Sequence, residues 1–145
     1  MSAKTRVLFL CTGNSARSQL GEALLRHKAG GRFEVYSAGL EPKGVNPYTL
    51  RVLAELGIDA RAQTSKPLSA YLGQLHFGYV ITVCADADAR CPAVFPGLGQ
   101  RLRWPFADPA AVTGTDEEQL AAFRAARDQI AARLDAWLAE LGEAA

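Results

Sequence analysis

The sequence predicts an α/β fold: a single-domain, three-layer sandwich in which a four-stranded parallel sheet is flanked by helices. Three observations point there. Short runs rich in Val, Leu, Ile and Phe alternate with amphipathic helical stretches along the chain. The runs are apolar throughout rather than alternating, which suits strands buried on both faces. No internal repeat, low-complexity tract or Pro/Gly/Ser-rich linker divides the 145 residues, and that length buries one proper core over 1–145.

Taken in order, "RVLFLC" (6–11) is the first strand. A helix from Ser15 to about Lys28 follows, with Leu20, Leu24 and Leu25 on one face and "AGG" as its stop. The second strand is "FEVYSA" (33–38). Asn46-Pro47, a good cap with a first-turn proline, opens a helix to about Leu56, with Gly57 after it. Residues 65–75 suit a shorter helix, and "YVITVC" (79–84) is the third strand. A fourth, weaker strand is "RLRWPF" (101–106), where Pro105 restricts it to an edge or a strand end. "GLGQ" and "VTGT" read as loops. Asp116 to Leu141 is a long helix: Leu120, Phe123, Ile130, Leu134, Trp137 and Leu138 form its stripe, and Thr115 or Asp116 caps it. Right-handed crossovers in such a sheet put ligands outside the carboxyl ends of the strands. Cys11 and Cys84 are both expected there.

Charge excludes some functions. With 16 basic and 15 acidic residues the formal charge is +1, so no global field favours a nucleic-acid or anionic-membrane partner. Any anion site must be local. "MSAKTR" leads straight into "VLFLC", an apolar run too short for a signal peptide or a membrane span, so a cytoplasmic location is expected. Three cysteines there should rest as thiols, and the odd count argues against a simple disulfide scaffold. Hydride and metal chemistry lack support: there is no G-x-G-x-x-G, and His27 and His76, placed on helical surfaces, have no ligand spacing. No bound cofactor or metal is expected, and nothing demands more than a monomer. Trp104 and Trp137 read as core.

"CTGNSARSQ" (11–19) carries the chemistry. A strand ending in Cys11, a tight turn and a helix would point the free N–H groups of Thr12, Gly13, Asn14, Ser15, Ala16 and Arg17 at one spot near the sulfur. The helix dipole adds positive charge there. Gly13 relieves steric limits in the turn, and Asn14 tolerates left-handed backbone angles. Arg17 can grip two oxygens of a tetrahedral oxyanion. The same dipoles favour a Cys11 thiolate, and Ser18 can add a hydroxyl hydrogen bond to it.

With these residues in place, "VLFLCTGNSARSQLGEALL" resembles the phosphate loop of the low-molecular-weight protein tyrosine phosphatase fold. More narrowly, "CTGNSARSQ", "VYSAGLEPKGVNP", "QTSK", "VITVCADADARCP" and "WPFADPA" resemble, in the same order, the thioredoxin-coupled arsenate reductases built on that fold. The resemblance implies arsenate as substrate, with phosphate as its analogue. It also implies thioredoxin as the final reductant, with electrons from NADPH through thioredoxin reductase; glutaredoxin or another thiol would fit the chemistry too. Asp108, in "FADPA", is the expected acid that protonates a leaving oxygen. The related phosphatases typically follow this Asp-Pro with two tyrosines, whereas this chain has Ala110 and Ala111, which weakens phosphotyrosine recognition. Some relatives also hold a monovalent cation with side chains matching Asn14, Glu22 and Ser37 plus an acid after a Thr-Ser pair. Here Lys66 stands in place of that acid, and its ammonium is expected to replace the cation.

Reducing a pentavalent oxyanion to the trivalent one takes two electrons, which is one dithiol becoming one disulfide. If the strands ending at Cys11 and Cys84 are neighbours, about 5 Å apart, a bridge between their ends is feasible. Cys84 would resolve a Cys11–arsenic adduct, and Cys91 would then attack Cys84 to carry the disulfide outward. Were "CADADARC" helical, its two thiols would lie about 10 Å apart along the axis, so the second bridge requires the segment to unwind. Two rivals stay open. One is a phosphatase using Cys11, Arg17 and Asp108 with water, and weak activity of this kind could also accompany reduction. The other is a non-enzymatic redox sensor that binds an oxyanion.

Overall fold

The computed structural model describes residues 4–71, 73–90 and 98–144. Its elements are β1 (Thr5–Cys11), α1 (Arg17–Ala29), β2 (Phe33–Gly39), α2 (Pro47–Ala54), β3 (Phe77–Thr82), α3 (Ala85–Arg90), β4 (Leu98–Arg103) and α4 (Asp116–Ala144), with single 3₁₀ turns at Leu68–Ala70 and Pro109–Ala111. The sheet runs β2-β1-β3-β4 and every strand pair is parallel. This is the α/β class the alternating pattern predicted. The central strand β1 explains the unbroken apolar run: Val7, Leu8, Phe9 and Leu10 are all fully buried.

The helices bury the stripes that define them. Leu20, Leu24 and Leu25 of α1 meet Leu120, Phe123, Ile130, Leu134 and Trp137 of α4 in one core cluster, with Leu138 partly buried at its border. Trp137 stacks on Phe33 at 5.5 Å and meets Tyr79 and Trp104 edge-on, so one aromatic ring ties α4 to β2 and β3. Trp104 is itself buried, with the Arg133 guanidinium 4.6 Å above its ring. Thr115 and Glu118 close a reciprocal capping box at the start of α4. Asn46 caps α2 through the Tyr48 amide at 2.9 Å, with Pro47 in the first turn.

Several sequence expectations shift. Within the expected loop "GLGQ", Leu98 to Gln100 are strand: β4 spans Leu98–Arg103, earlier than the expected 101–106. Gly99 is there because β3 passes close beside it, and a Cβ would collide with the Gly78 carbonyl. The third strand likewise spans Phe77–Thr82, so Cys84 sits two residues beyond its end and His76 precedes it rather than lying on a helix. The helix expected over 65–75 is only the turn Leu68–Ala70, bounded by Pro67 and by Gly73 at φ 74°. Helix α1 starts at Arg17 rather than Ser15, α2 stops at Ala54 rather than Leu56, and α4 runs on to Ala144. Cys91 lies outside the described residues. Among those described, no helix is long and apolar enough to cross a membrane.

Candidate active site

The loop between β1 and α1 is held from outside, by its carbonyls. Cys11 O accepts from Leu40 N, Thr12 O from Glu41 N, and Gly13 O from Lys43 N and the Ser65 hydroxyl. Asn14 O accepts from the Gln19 amide, Ser15 O from Asn46 N and Thr49 Oγ1, and Ala16 O from Leu20 N. With these carbonyls committed, Thr12, Gly13, Ser15 and Ala16 of the loop line a cavity of about 140 Å³ together with Cys11, Arg17, Lys43, Asp108 and Ala110. Asn14 takes the left-handed turn at φ 47°, the only non-glycine residue among those described to do so. Gly39 lies so close behind the loop that a Cβ would stand 2.8 Å from Asn14 N and Thr12 O.

Cys11 is buried, and its sulfur accepts the Asn14 backbone N–H at 3.2 Å. The Ser18 hydroxyl lies 2.9 Å from the same sulfur. The direction of the chain behind it can be followed. The Lys66 N–H donates to Asn14 Oδ1 at 2.8 Å, which turns Asn14 Nδ2 towards Ser18 Oγ at 2.8 Å and Ser37 Oγ at 2.9 Å. Ser37 donates to Glu22 at 2.5 Å. Ser18 thus accepts from Asn14, and its own proton is free for the sulfur.

Lys66 closes this chain. Its ammonium is 3.9 Å from Glu22 Oε1 and donates to the Thr64 carbonyl, while Arg26 holds the other Glu22 oxygen at 2.7 Å. Burial lowers the Lys66 pKa, Glu22 opposes that shift, and Arg26 adds to it. No cluster of His, Cys, Asp or Glu suited to a metal occurs among the described residues.

Arg17 donates to the Phe106 carbonyl at 2.9 Å, and its other terminal nitrogen is 3.7 Å from the Asp108 carboxylate. Asp108 also accepts from Ala110 N at 2.9 Å, so it is fixed at the cavity mouth at the start of the Pro109–Ala111 turn. Cys84 is a second buried free thiol, 3.6 Å from Thr12 Oγ1 and accepting the Ala87 N–H at 3.3 Å. The β1–β3 register brings it there: Leu10 pairs with Thr82, and Val83 N donates to Leu10 O at 3.0 Å. A larger apolar groove of about 590 Å³, between α2 and residues 57–61, has no thiol or hydroxyl side chain in its lining.

Residues 6–145 match the family described as low molecular weight phosphotyrosine protein phosphatase. The chain belongs to that family. Within it the chain groups with arsenate reductases: the arsenate reductase of Halalkalibacterium halodurans is 44% identical over 140 residues, covering 97% of this chain and 99% of that one. A solved arsenate reductase in a phosphate-binding state superposes with a TM-score of 0.74 at 29% identity, covering 94% of this chain and 98% of that chain. The thioredoxin-dependent arsenate reductase of Corynebacterium glutamicum gives a TM-score of 0.65 at 31% identity, over 93% of this chain and 62% of that one.

Sequence reasoning missed several residues of this phosphatase-family site. Gln19 is fully buried and donates to both Asn14 O and Thr64 O, bracing the loop against the 63–66 segment. Gly39, Ser65, Thr49 and Lys43 act from elsewhere in the chain. Gly39 and Lys43 lie within the quoted "VYSAGLEPKGVNP" and Ser65 within "QTSK", but only Gly39 carried a physical signal of its own: a glycine ending a strand beside a tight loop.

Proposed function

We propose that this protein is an arsenate reductase that works through Cys11, Cys84 and Cys91, with thioredoxin as its reductant. Arsenate sits on the loop amides and the Arg17 guanidinium. The Cys11 thiolate attacks arsenic, and Asp108 gives its proton to the departing oxygen, which leaves as water. Cys84 as thiolate then attacks Cys11 Sγ. The S–As bond breaks, its electron pair stays on arsenic, and arsenite departs from a Cys11–Cys84 disulfide. Cys91 attacks Cys84, releasing the Cys11 thiolate, and thioredoxin reduces the Cys84–Cys91 bridge with electrons from NADPH through thioredoxin reductase. The reaction belongs in the cytoplasm, where thiols rest reduced.

One observation carries this reading: the buried Cys84 thiol lies against Thr12 of the anion loop. Ester hydrolysis has no use for a second thiol, whereas a two-electron reduction requires one. Helix α3 supports the order of steps. With residues 85–90 helical, the ends of that segment are about 9 Å apart, beyond disulfide reach. The Cys84–Cys91 bridge therefore needs α3 to unwind. Drawing the Cys84 sulfur into a bond with Cys11 takes away its contact with the Ala87 amide, which loosens the first turn of α3.

The test is arsenate-dependent NADPH oxidation coupled through thioredoxin and its reductase. Wild type should turn over steadily and Cys91→Ser should not, while both hydrolyse p-nitrophenyl phosphate at a similar low rate, because the loop, Arg17 and Asp108 also suit small phosphate esters. Absence of arsenate-dependent oxidation in wild type, with ester hydrolysis intact, would favour the phosphatase. Absence of both would leave an oxyanion-binding sensor.

A further inference from the structure

We infer that Lys43 is a second cationic binding residue for the oxyanion, supplying charge that Arg17 alone does not. This rests on the reading of the site as one for a free tetrahedral oxyanion. Lys43 lines the cavity beside Cys11, Arg17 and Asp108. Its backbone N–H is bonded to Gly13 O at 2.9 Å, which fixes where its side chain starts. Its methylenes pass over Gly13, 3.4 to 3.8 Å from where a Cβ there would be. The lysine stem thus packs over the loop at Gly13, at ordinary contact distance.

The charges explain why a second cation is needed. Arg17 already donates to the Phe106 carbonyl and sits 3.7 Å from the Asp108 carboxylate. With Asp108 ionised, these two cancel, and Lys43 is the remaining positive side chain of the cavity. Against the two negative charges of arsenate or phosphate and that of the Cys11 thiolate, Arg17 alone is outnumbered, and Lys43 adds the second positive charge. An exposed ammonium also attracts the ion before it reaches the amides, an effect that salt screens. Ala110, also in the lining, offers neither charge nor an aromatic face.

The experiment titrates inorganic phosphate into the full-length protein by calorimetry, at low and at raised ionic strength. Protection of Cys11 from iodoacetamide serves as a second readout. Lys43→Met keeps the stem and removes the charge. Lys28→Met is the control, because Lys28 pairs with Asp135 at the far end of α1, about 20 Å from the loop. Lys43→Met should bind phosphate roughly fivefold or more weakly at low salt, with a shallower salt dependence and an unchanged melting temperature. Lys28→Met should match wild type. In the arsenate assay Lys43→Met should raise KM with kcat nearly unchanged, because the ammonium acts on ground state and transition state alike. Equal phosphate affinity in Lys43→Met and wild type would overturn the inference and leave the reductase reading standing. Weakened phosphate binding in a protein that never reduces arsenate would uphold Lys43 and sink the reductase reading.

Discussion

A cysteine at the end of a buried strand is ordinarily a small apolar side chain; Cys11 differs through the donors around it. The Asn14 amide and the Ser18 hydroxyl both reach its sulfur. Ser18→Ala removes the hydroxyl and leaves one Asn14 N–H without its acceptor. A hydrogen bond to a charged group contributes about 1.5–3 kcal/mol, so iodoacetamide should alkylate Cys11 more slowly in Ser18→Ala than in wild type. An unchanged rate would show that the Asn14 amide holds the thiolate without the hydroxyl. Lys66 gives a second prediction. With its ammonium 3.9 Å from Glu22, exchanging sodium for potassium at constant ionic strength should not alter arsenate turnover, and stimulation by potassium would refute the replacement. Cys11, Asn14, Arg17 and Ser18 were legible because the loop that unites them is one contiguous stretch. Gln19 and Lys43 were not, because what they do depends on Thr64 and Gly13, residues that only the fold brings to them.

Among the elements, all four strands exist with two of them shifted along the chain, while the helix expected over 65–75 is a single turn. The α4 stripe and the Asn46-Pro47 cap were readable because they follow from local spacing and local hydrogen bonds. β4 was misplaced because "GLGQ" looks like a turn, and only the approach of β3 explains a glycine in that strand. Helices α2 and α4 are clasped by Glu55, which pairs with Arg124 at 2.7 Å and with Arg127 at 2.8 Å. The Arg124 hydrogen bond, helped by Arg127, lowers the Glu55 pKa from 4.5 to about 2. A carboxyl depressed on folding contributes stability that is complete above its unfolded value and is lost as pH falls through its folded one. The stability gap between wild type and Glu55→Gln, from urea unfolding at stepped pH, should therefore narrow between pH 4.5 and about 2. Salt should shrink it throughout, because the pair is partly exposed. A gap independent of pH would mean that the clasp is held by packing alone.

At the scale of the whole molecule, the parallel sheet gathers at one edge what the sequence scatters. β1 ends at Cys11, β3 leads to Cys84, and the segment after β4 carries Phe106 and Asp108. In a chain with a formal charge of +1, Arg17 and Lys43 nonetheless line one cavity, and the proposed binding of a dianion rests on that local convergence rather than on a global field. The central claim is that this edge performs a two-electron reduction with its own thiols. A single turnover without thioredoxin tests it most directly: fully reduced protein is mixed with arsenate, arsenite is quantified, and the disulfide is mapped by mass spectrometry. The account predicts one arsenite per chain, a Cys84–Cys91 bridge and a free Cys11. Three free thiols and no arsenite would contradict it.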